Sequence, residues 1–201
     1  MKNSLFIVLD GLDGSGKGEM VNSLASYLES KGHKVLKTTE PTNSEYGRKA
    51  KEISLKEDDP MKSAEECLKL YTQDREEHLK NEIIPALEQG ITVISDRYYY
   101  STIAYQNAQG IALTKVIEAN KGFRKPDIAF ILDIPARLAL ERISKRGIQV
   151  EKFEKYDFIV ILRDKFLNLF THIGDNIKVI DASKSKEHVF NQIKREVDKI
   201  V

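Results

Sequence analysis

Five short aliphatic or β-branched runs punctuate an otherwise charged chain: LFIVLD (5–10), KVLKTT (34–39), ITVISD (91–96), IAFILD (128–133) and IKVID (177–181). Most lack polar alternation, which is the pattern of strands buried on both faces of a parallel sheet. Helical stretches separate them, chiefly GEMVNSLASYLESKG (18–32), SAEECLKLYTQDREEHLKNEIIPALEQG (63–90) and KEHVFNQIKREVDKI (186–200). Strand and helix in alternation predict a doubly wound α/β sheet. Gly32 and Gly90 stand where helices should stop before the next strand, glycine being the residue that readily takes a left-handed cap. KEISLKEDDPMK (51–62) reads as a charged connection and SKRGIQVEKFEKYD (144–157) as a mobile loop, neither of them a domain linker. With no repeat and no low-complexity tract, 201 residues are expected to form one domain.

Composition narrows the partners. Lys and Arg number 32 against 31 Asp and Glu, for a formal net charge of +1, so no global field argues for nucleic acid or a membrane surface. Any anion site must be local. The single cysteine, Cys67, excludes an internal disulfide, and MKNSLFIVLDG shows no cleavable signal pattern, so a reducing, cytoplasmic compartment is expected. Apolar runs such as IAFILDI (128–134) are too short to cross a bilayer. The histidines at 33, 78, 172 and 188 lack ligand spacing, so no zinc site is expected. There is no Gly-x-Ser-x-Gly elbow, and Lys17 directly after Gly16 speaks against a dinucleotide fingerprint.

GLDGSGKGEM (11–20) follows the first predicted strand and opens the first helix. Through Lys17 it fits the phosphate-loop pattern G-x-x-x-x-G-K, in the strand–loop–helix context that gives that pattern physical meaning. Gly11, Gly14 and Gly16, with Leu12, Asp13 and Ser15 between them, let the backbone curl so that N–H groups converge on one concavity. The following helix adds its partial positive charge. A polyphosphate fits there, with Lys17 as a point charge for the β- and γ-phosphates; the alternative is a glycine turn with a surface lysine. The pattern is broken at Gly18, where Ser or Thr would offer a hydroxyl to Mg²⁺, and at Glu19. A carboxylate there suits the helix dipole but must point away from a phosphate or hold a metal-bound water. Adenylate kinase and related nucleoside monophosphate kinases also carry Gly after the lysine, with Thr next, so Mg²⁺ can be held largely through water and phosphate oxygens.

VISDRYYYSTIAYQ (93–106) ends an apolar run with Asp96 and Arg97. In an open α/β sheet, ligands sit outside the carboxyl ends of the strands, so this pair should face the cavity of the glycine loop. Asp96 suits Mg²⁺ through water and Arg97 a bidentate phosphate clamp; the alternative is a structural salt bridge between the two.

DRYYYSTIAYQ is also similar to the DRY…S…AYQ block of thymidylate kinases, and further blocks follow in family order. FIVLDGLDGSGK resembles the family's first strand and P-loop, TTEPTNSEYGRKAKEI its R-E-P-G-G segment, LKLYTQDREEHL its F-x-A-D-R helix, and PDIAFILDIPARLALERISKRG its P-D-L-x-L-x-L-D strand and lid. The resemblance spans almost the whole chain. It implies a P-loop NTPase-type α/β three-layer sandwich with a five-stranded parallel sheet, helices on both faces and a short lid at about 142–156. It also implies that Tyr71 and Arg75, four apart on one helix face, stack on and hydrogen-bond the thymine, where an aromatic at that spacing is by itself more often core filler. On the same ground Ser101, Tyr105 and Gln106 line base and deoxyribose, Glu40 and Pro41 belong to the acceptor side, and Asp13 lies near the sugar 3′-hydroxyl and the phosphates. Without the resemblance Asp13 reads as a turn former. Arg142 and Arg146 in LERISKRG, with Lys145 beside them, are candidates for neutralising transition-state charge, against the ordinary reading of a solvated basic face. IDASKS (180–185) resembles the loop that grips the donor adenine.

Thr39 stands in place of a family Arg, Thr42 and Asn43 in place of two glycines, and Gly14 where one subgroup has a P-loop arginine. The expected activity is transfer of the γ-phosphate of ATP to dTMP, giving ADP and dTDP for dTTP biosynthesis, with ATP and Mg²⁺ as cofactors. A cytoplasmic homodimer with no nucleic-acid or membrane partner is expected with it. The alternatives are a kinase for another nucleoside monophosphate, a polyphosphate-dependent nucleotide kinase, and a P-loop regulator that binds nucleotide without turnover.

Overall fold

Phe6–Gly11 form β1, and every residue of it is buried because the strand lies at the centre of the sheet. The computed structural model describes residues 4–56, 63–145 and 156–201. Its five strands are all parallel and ordered β2-β3-β1-β4-β5, with β2 at Val35–Thr39, β3 at Thr92–Asp96, β4 at Ile128–Asp133 and β5 at Ile177–Asp181. The expected runs match these strands to within a residue. The three central strands carry no lysine and are almost wholly buried, whereas β2 and β5 carry Lys37 and Lys178 because they are edges with solvent on one side.

Alternate side chains of β1 feed two cores. Ile7 and Leu9 join Ile94, Phe130 and Leu132 beneath α1 (Lys17–Ser30) and α9 (Lys186–Val197). Phe6 and Val8 join Val93, Ala129 and Ile131 on the other face, covered by helices that include α3 (Ala64–His78), α5 (Tyr99–Ala108), α6 (Leu113–Asn120) and α8 (Tyr156–Asn168). The sheet is thus sandwiched between two helical layers. Gly32 and Gly90 cap their helices with φ of 81° and 75°.

Two local expectations are corrected. The stretch read as one helix over 63–90 widens into a π turn at Leu79–Ile83 before α4 (Ile84–Glu88). Pro85 lacks the N–H that would close an α-turn onto Asn81, and the wider turn relieves its ring against that carbonyl. Residues 51–56, read as part of a charged connection, belong to α2 (Glu45–Lys56), which packs Ala50 into the interior against α3. Its charged exposed face hid the helix. Residues 57–62 lie outside the described residues, as does most of the expected mobile loop at 144–157. Among the described residues no helix is long and apolar enough to cross a membrane.

Candidate functional site

The carboxyl end of β1 turns directly into the glycine loop. Gly11, Gly14 and Gly16 take φ of 129°, 80° and 95°, in the left-handed region. At Gly11 a Cβ would stand 2.6 Å from the Leu132 carbonyl oxygen, and at Gly14 2.6 Å from that of Ala139, so both positions exclude any side chain. Gly16 leads into α1 with no side chain capping the helix, which leaves its first amides directed at the loop. Within the loop, the Ser15 N–H turns inward to the Leu12 carbonyl at 3.2 Å. The buried Lys17 arches back over it, donating to the carbonyls of Gly11 at 3.0 Å and Leu12 at 2.9 Å and approaching Asp13 Oδ1 at 3.4 Å. Burial and the neighbouring Arg97 charge press the ammonium's pKa down, against Asp13, Asp96 and Asp10. Glu19 makes an exposed pair with Lys186 at the start of α9, 2.6 Å away.

Asp10, which sequence reasoning did not single out, organises the next layer. It is fully buried at the end of β1 and accepts the amides of Gly11 (2.8 Å), Tyr98 (3.1 Å) and Ser101 (2.9 Å) and the Ser101 hydroxyl (2.6 Å). These bonds pin the start of α5 to β1. Between them sits Arg97, a non-glycine residue at φ 73°, with its amide on the Leu9 carbonyl at 2.9 Å. Nη1 donates to Ser101 Oγ at 2.9 Å and Nη2 pairs with Asp13. The ion pair of Arg97 is therefore with the loop's Asp13 rather than with its neighbour Asp96. Burial would raise the Asp13 carboxyl, but Arg97 and Lys17 outweigh it and hold the group well below the usual carboxylate range. At Asp10 the balance is opposite, and burial keeps the carboxyl raised against Arg97 and Ser101. Asp96 faces the loop from the end of β3. Its Oδ1 is buried without a hydrogen-bond partner, and a Cβ at Gly18 would stand 3.4 Å from its Oδ2.

Beyond Arg97 opens a cavity of about 510 Å³. Asp13, Arg97 and Ser101 form one end, where the Tyr105 ring lies 5.9 Å under the guanidinium and its hydroxyl 3.5 Å from Asp13 Oδ2. Tyr71, Arg75 and Gln106 line it as well, together with Glu40 and Pro41, so every residue expected on the acceptor side reaches one space. Gln106 donates to Gln109 at 2.8 Å, while its Oε1 is buried without a partner. Arg75 is clamped: Nε and Nη2 donate to Glu40 Oε2 at 2.9 and 2.7 Å, Nη2 to Thr102 at 3.0 Å and Nη1 to Asn120 at 2.6 Å. Four of its five donors are thereby engaged, and one on Nη1 is left for the cavity. Thr42 does more than replace a glycine, since its amide donates to the buried Asp74 of α3 at 2.8 Å and Ser44 Oγ donates to the same carboxylate at 2.6 Å. Thr102, Asn120 and His78 carried no local signal in the sequence, and Asp74, the acidic position of the F-x-A-D-R segment, was not singled out.

On the other side of the glycine loop, Arg142 of α7 (Ala136–Ser144) donates through Nη1 to the carbonyls of Gly14 at 3.3 Å and Ala182 at 3.2 Å. It joins the loop to the IDASKS turn. Lys145 makes an exposed pair with Glu141 at 2.6 Å, the ordinary meaning of a basic helix face. Arg146 lies outside the described residues.

Residues 9–193 match the family model described as thymidylate kinase. The chain is 40% identical over 194 residues to the probable thymidylate kinase of Pyrococcus horikoshii, covering 94% of this chain and 93% of that protein. It is 37% identical over 195 residues to the probable thymidylate kinase of Archaeoglobus fulgidus, with 96% and 95% covered. To the thymidylate kinase of Desulfotalea psychrophila it is 34% identical over 197 residues, with 97% and 95% covered.

Proposed function

Because the chain belongs to the thymidylate kinase family, we propose that it transfers the γ-phosphate of ATP to dTMP, giving ADP and dTDP, as a step of dTTP biosynthesis. One observation carries the reading: Arg97 stands between the glycine loop, through Asp13, and the acceptor cavity of about 510 Å³. A guanidinium there touches both phosphate tails at once. The chain is proposed to work as one nucleotide-kinase domain; most of the lid expected at about 142–156 lies outside the described residues.

In this reading the loop amides and Lys17 hold the β- and γ-phosphates, Lys17 exchanging the carbonyls of Gly11 and Leu12 for phosphate oxygens. Arg97 binds the acceptor phosphate and meets the charge that grows as the phosphoryl group moves. The attacking oxygen is already an anionic phosphate oxygen, so positioning and electrostatics suffice without a general base. Asp13 keeps Arg97 and Lys17 aimed at the junction, and its depressed pKa leaves it ionised throughout the physiological range. Arg142 keeps the loop registered against the donor-side turn, while Tyr71, Arg75 and Gln106 face the base. The buried, unpartnered Asp96 Oδ1 beside the side-chain-free Gly18 fits a site that would hold Mg²⁺ next to the phosphates. Among the described residues no group of three His, Cys, Asp or Glu offers an all-protein cage. The ion's chemistry is to neutralise charge on the β- and γ-phosphates.

The test is ADP release from Mg·ATP with dTMP, dUMP, UMP, CMP, AMP and GMP in turn. dTMP should exceed dUMP by roughly 10- to 200-fold in kcat/KM, the discrimination available from one methyl group, and the other bases by more. Preference for AMP or CMP would overturn the acceptor. Nucleotide binding without ADP from any acceptor would overturn the activity. The protein is further proposed to act as a cytoplasmic homodimer, which a monomer in sedimentation at working concentration would contradict.

A further inference from the structure

Behind the acceptor cavity, polar side chains run in file from solvent to Arg75. Glu82, half-exposed in the π turn, faces the buried His78; His78 faces the buried Glu40; and Glu40 holds Arg75. Both nitrogens of the His78 ring lie within hydrogen-bond distance of a carboxylate oxygen, Nδ1 at 3.1 Å from Glu40 Oε1 and Nε2 at 2.9 Å from Glu82 Oε2. A neutral imidazole has one N–H: with it on Nδ1, facing Glu40, the Nε2 lone pair can take the Thr38 hydroxyl at 2.7 Å but also lies 2.9 Å from Glu82 Oε2. An imidazolium satisfies both carboxylates. Thr38 fits the same state, its hydroxyl donating to Glu82 Oε2 at 3.0 Å while its oxygen lies 2.7 Å from Nε2. The charged groups around the ring are Glu40 from the loop after β2, Glu82 from the π turn, and Asp74 and Arg75 from α3: three carboxylates against one guanidinium. Burial works against the charged ring, yet Glu40 and Glu82 prevail and the His78 pKa is raised above its ordinary value.

We propose that His78 is a positioning residue for the acceptor nucleotide: its imidazolium holds Oε1 of Glu40, which leaves Oε2 to fix Arg75 in the cavity, and Glu82 links this clamp to the pH of the solvent. The inference deepens the kinase reading and rests on it. Loss of the proton takes the charge from the ring and leaves one N–H between two carboxylates, so the hold on Glu40 weakens and Arg75 is less firmly locked toward the base. Acceptor affinity should then weaken while the phosphate machinery, built on Lys17 and Arg97, stays intact. The sign follows from the raised pKa: the clamp is present below it and is lost as pH rises through it.

The experiment joins ¹⁵N NMR of the imidazoles in the full chain with kcat and KM for dTMP from about pH 6 to about pH 9, a window spanning the ordinary histidine range and its raised side. Wild type, Glu82→Gln and His78→Gln are compared, and the phosphate titration of dTMP itself is common to all three. The expected results are a doubly protonated His78 at neutral pH and a KM that rises roughly tenfold with pH at nearly constant kcat, as for one lost charge-assisted hydrogen bond. Glu82→Gln should move both transitions to lower pH, and His78→Gln should show the raised KM at all pH values. A singly protonated His78 at neutral pH, or one KM profile shared by all three proteins, overturns the proposal. Should His78→Gln fail to fold, wild type and Glu82→Gln still decide. Should no protein turn over dTMP at any pH, the kinase reading fails, and the NMR titration, which needs no turnover, still decides the state of His78.

Discussion

Arg97→Ala is expected to lower kcat with dTMP and Mg·ATP by roughly 10³-fold, about 4 kcal/mol of transition-state stabilisation, in a protein that still melts cooperatively. The reason is placement. Arg97 sits at the end of a central strand, fixed by its own amide on Leu9, by Ser101 at Nη1 and by Asp13 at Nη2, so its charge is already oriented when the phosphates meet. No residue named in the cavity duplicates that position. Arg97→Lys should recover little, because an ammonium cannot address Ser101, Asp13 and a phosphate with a planar fork. Lys17→Ala should fall similarly, with ATP binding weakened as well, since Lys17 belongs to the donor side alone. Steady-state kinetics with calorimetric ATP binding separate the two variants. A loss below tenfold for Arg97→Ala would remove Arg97 from the reaction.

What could be read from the sequence follows what is local. The three central strands were legible because burial on both faces keeps them mostly aliphatic or β-branched and free of lysine, as in FIVLDG and IAFILD. The glycine loop was legible because its positive-φ positions admit no other residue without strain, and any side chain at Gly11 or Gly14 would collide with the backbone of Leu132 or Ala139. Helix α2 was lost because a helix buried on one narrow stripe, with six of its twelve residues charged, looks like a connection. Partner choice was lost throughout, being set by tertiary geometry. Arg97 joins Asp13, 84 residues away, in preference to its neighbour, and Glu19 finds Lys186 across the helical layer. The clamp on Arg75 draws on Glu40, Thr102 and Asn120, which no spacing connects. One missed residue did leave a trace. Asp10 ends a run of apolar residues that the sheet must bury, and a carboxylate in such a place requires donors from elsewhere in the fold.

Asp10→Ala should therefore be the most damaging change outside the phosphate contacts, lowering stability by about 3–5 kcal/mol, as for a broken buried ionic network, and Tm by roughly 10 °C. It strands three amides and the Ser101 hydroxyl in a fully buried site. Asp10→Asn separates packing from charge. The carboxylate receives Gly11 and the Ser101 hydroxyl at Oδ1 and the amides of Tyr98 and Ser101 at Oδ2. A carboxamide has one acceptor oxygen, so whichever way it turns, its NH₂ meets at least one backbone N–H. The asparagine variant should fold with a smaller loss of stability yet lose much of its kcat, because Ser101, no longer tied at both its amide and its hydroxyl, releases Arg97 Nη1. Thermal melts give the first quantity and kcat on the folded fraction gives the second. If Asp10→Asn melts several degrees lower but turns over dTMP like the wild type, Asp10 holds the sheet to α5 and has no part in aiming Arg97.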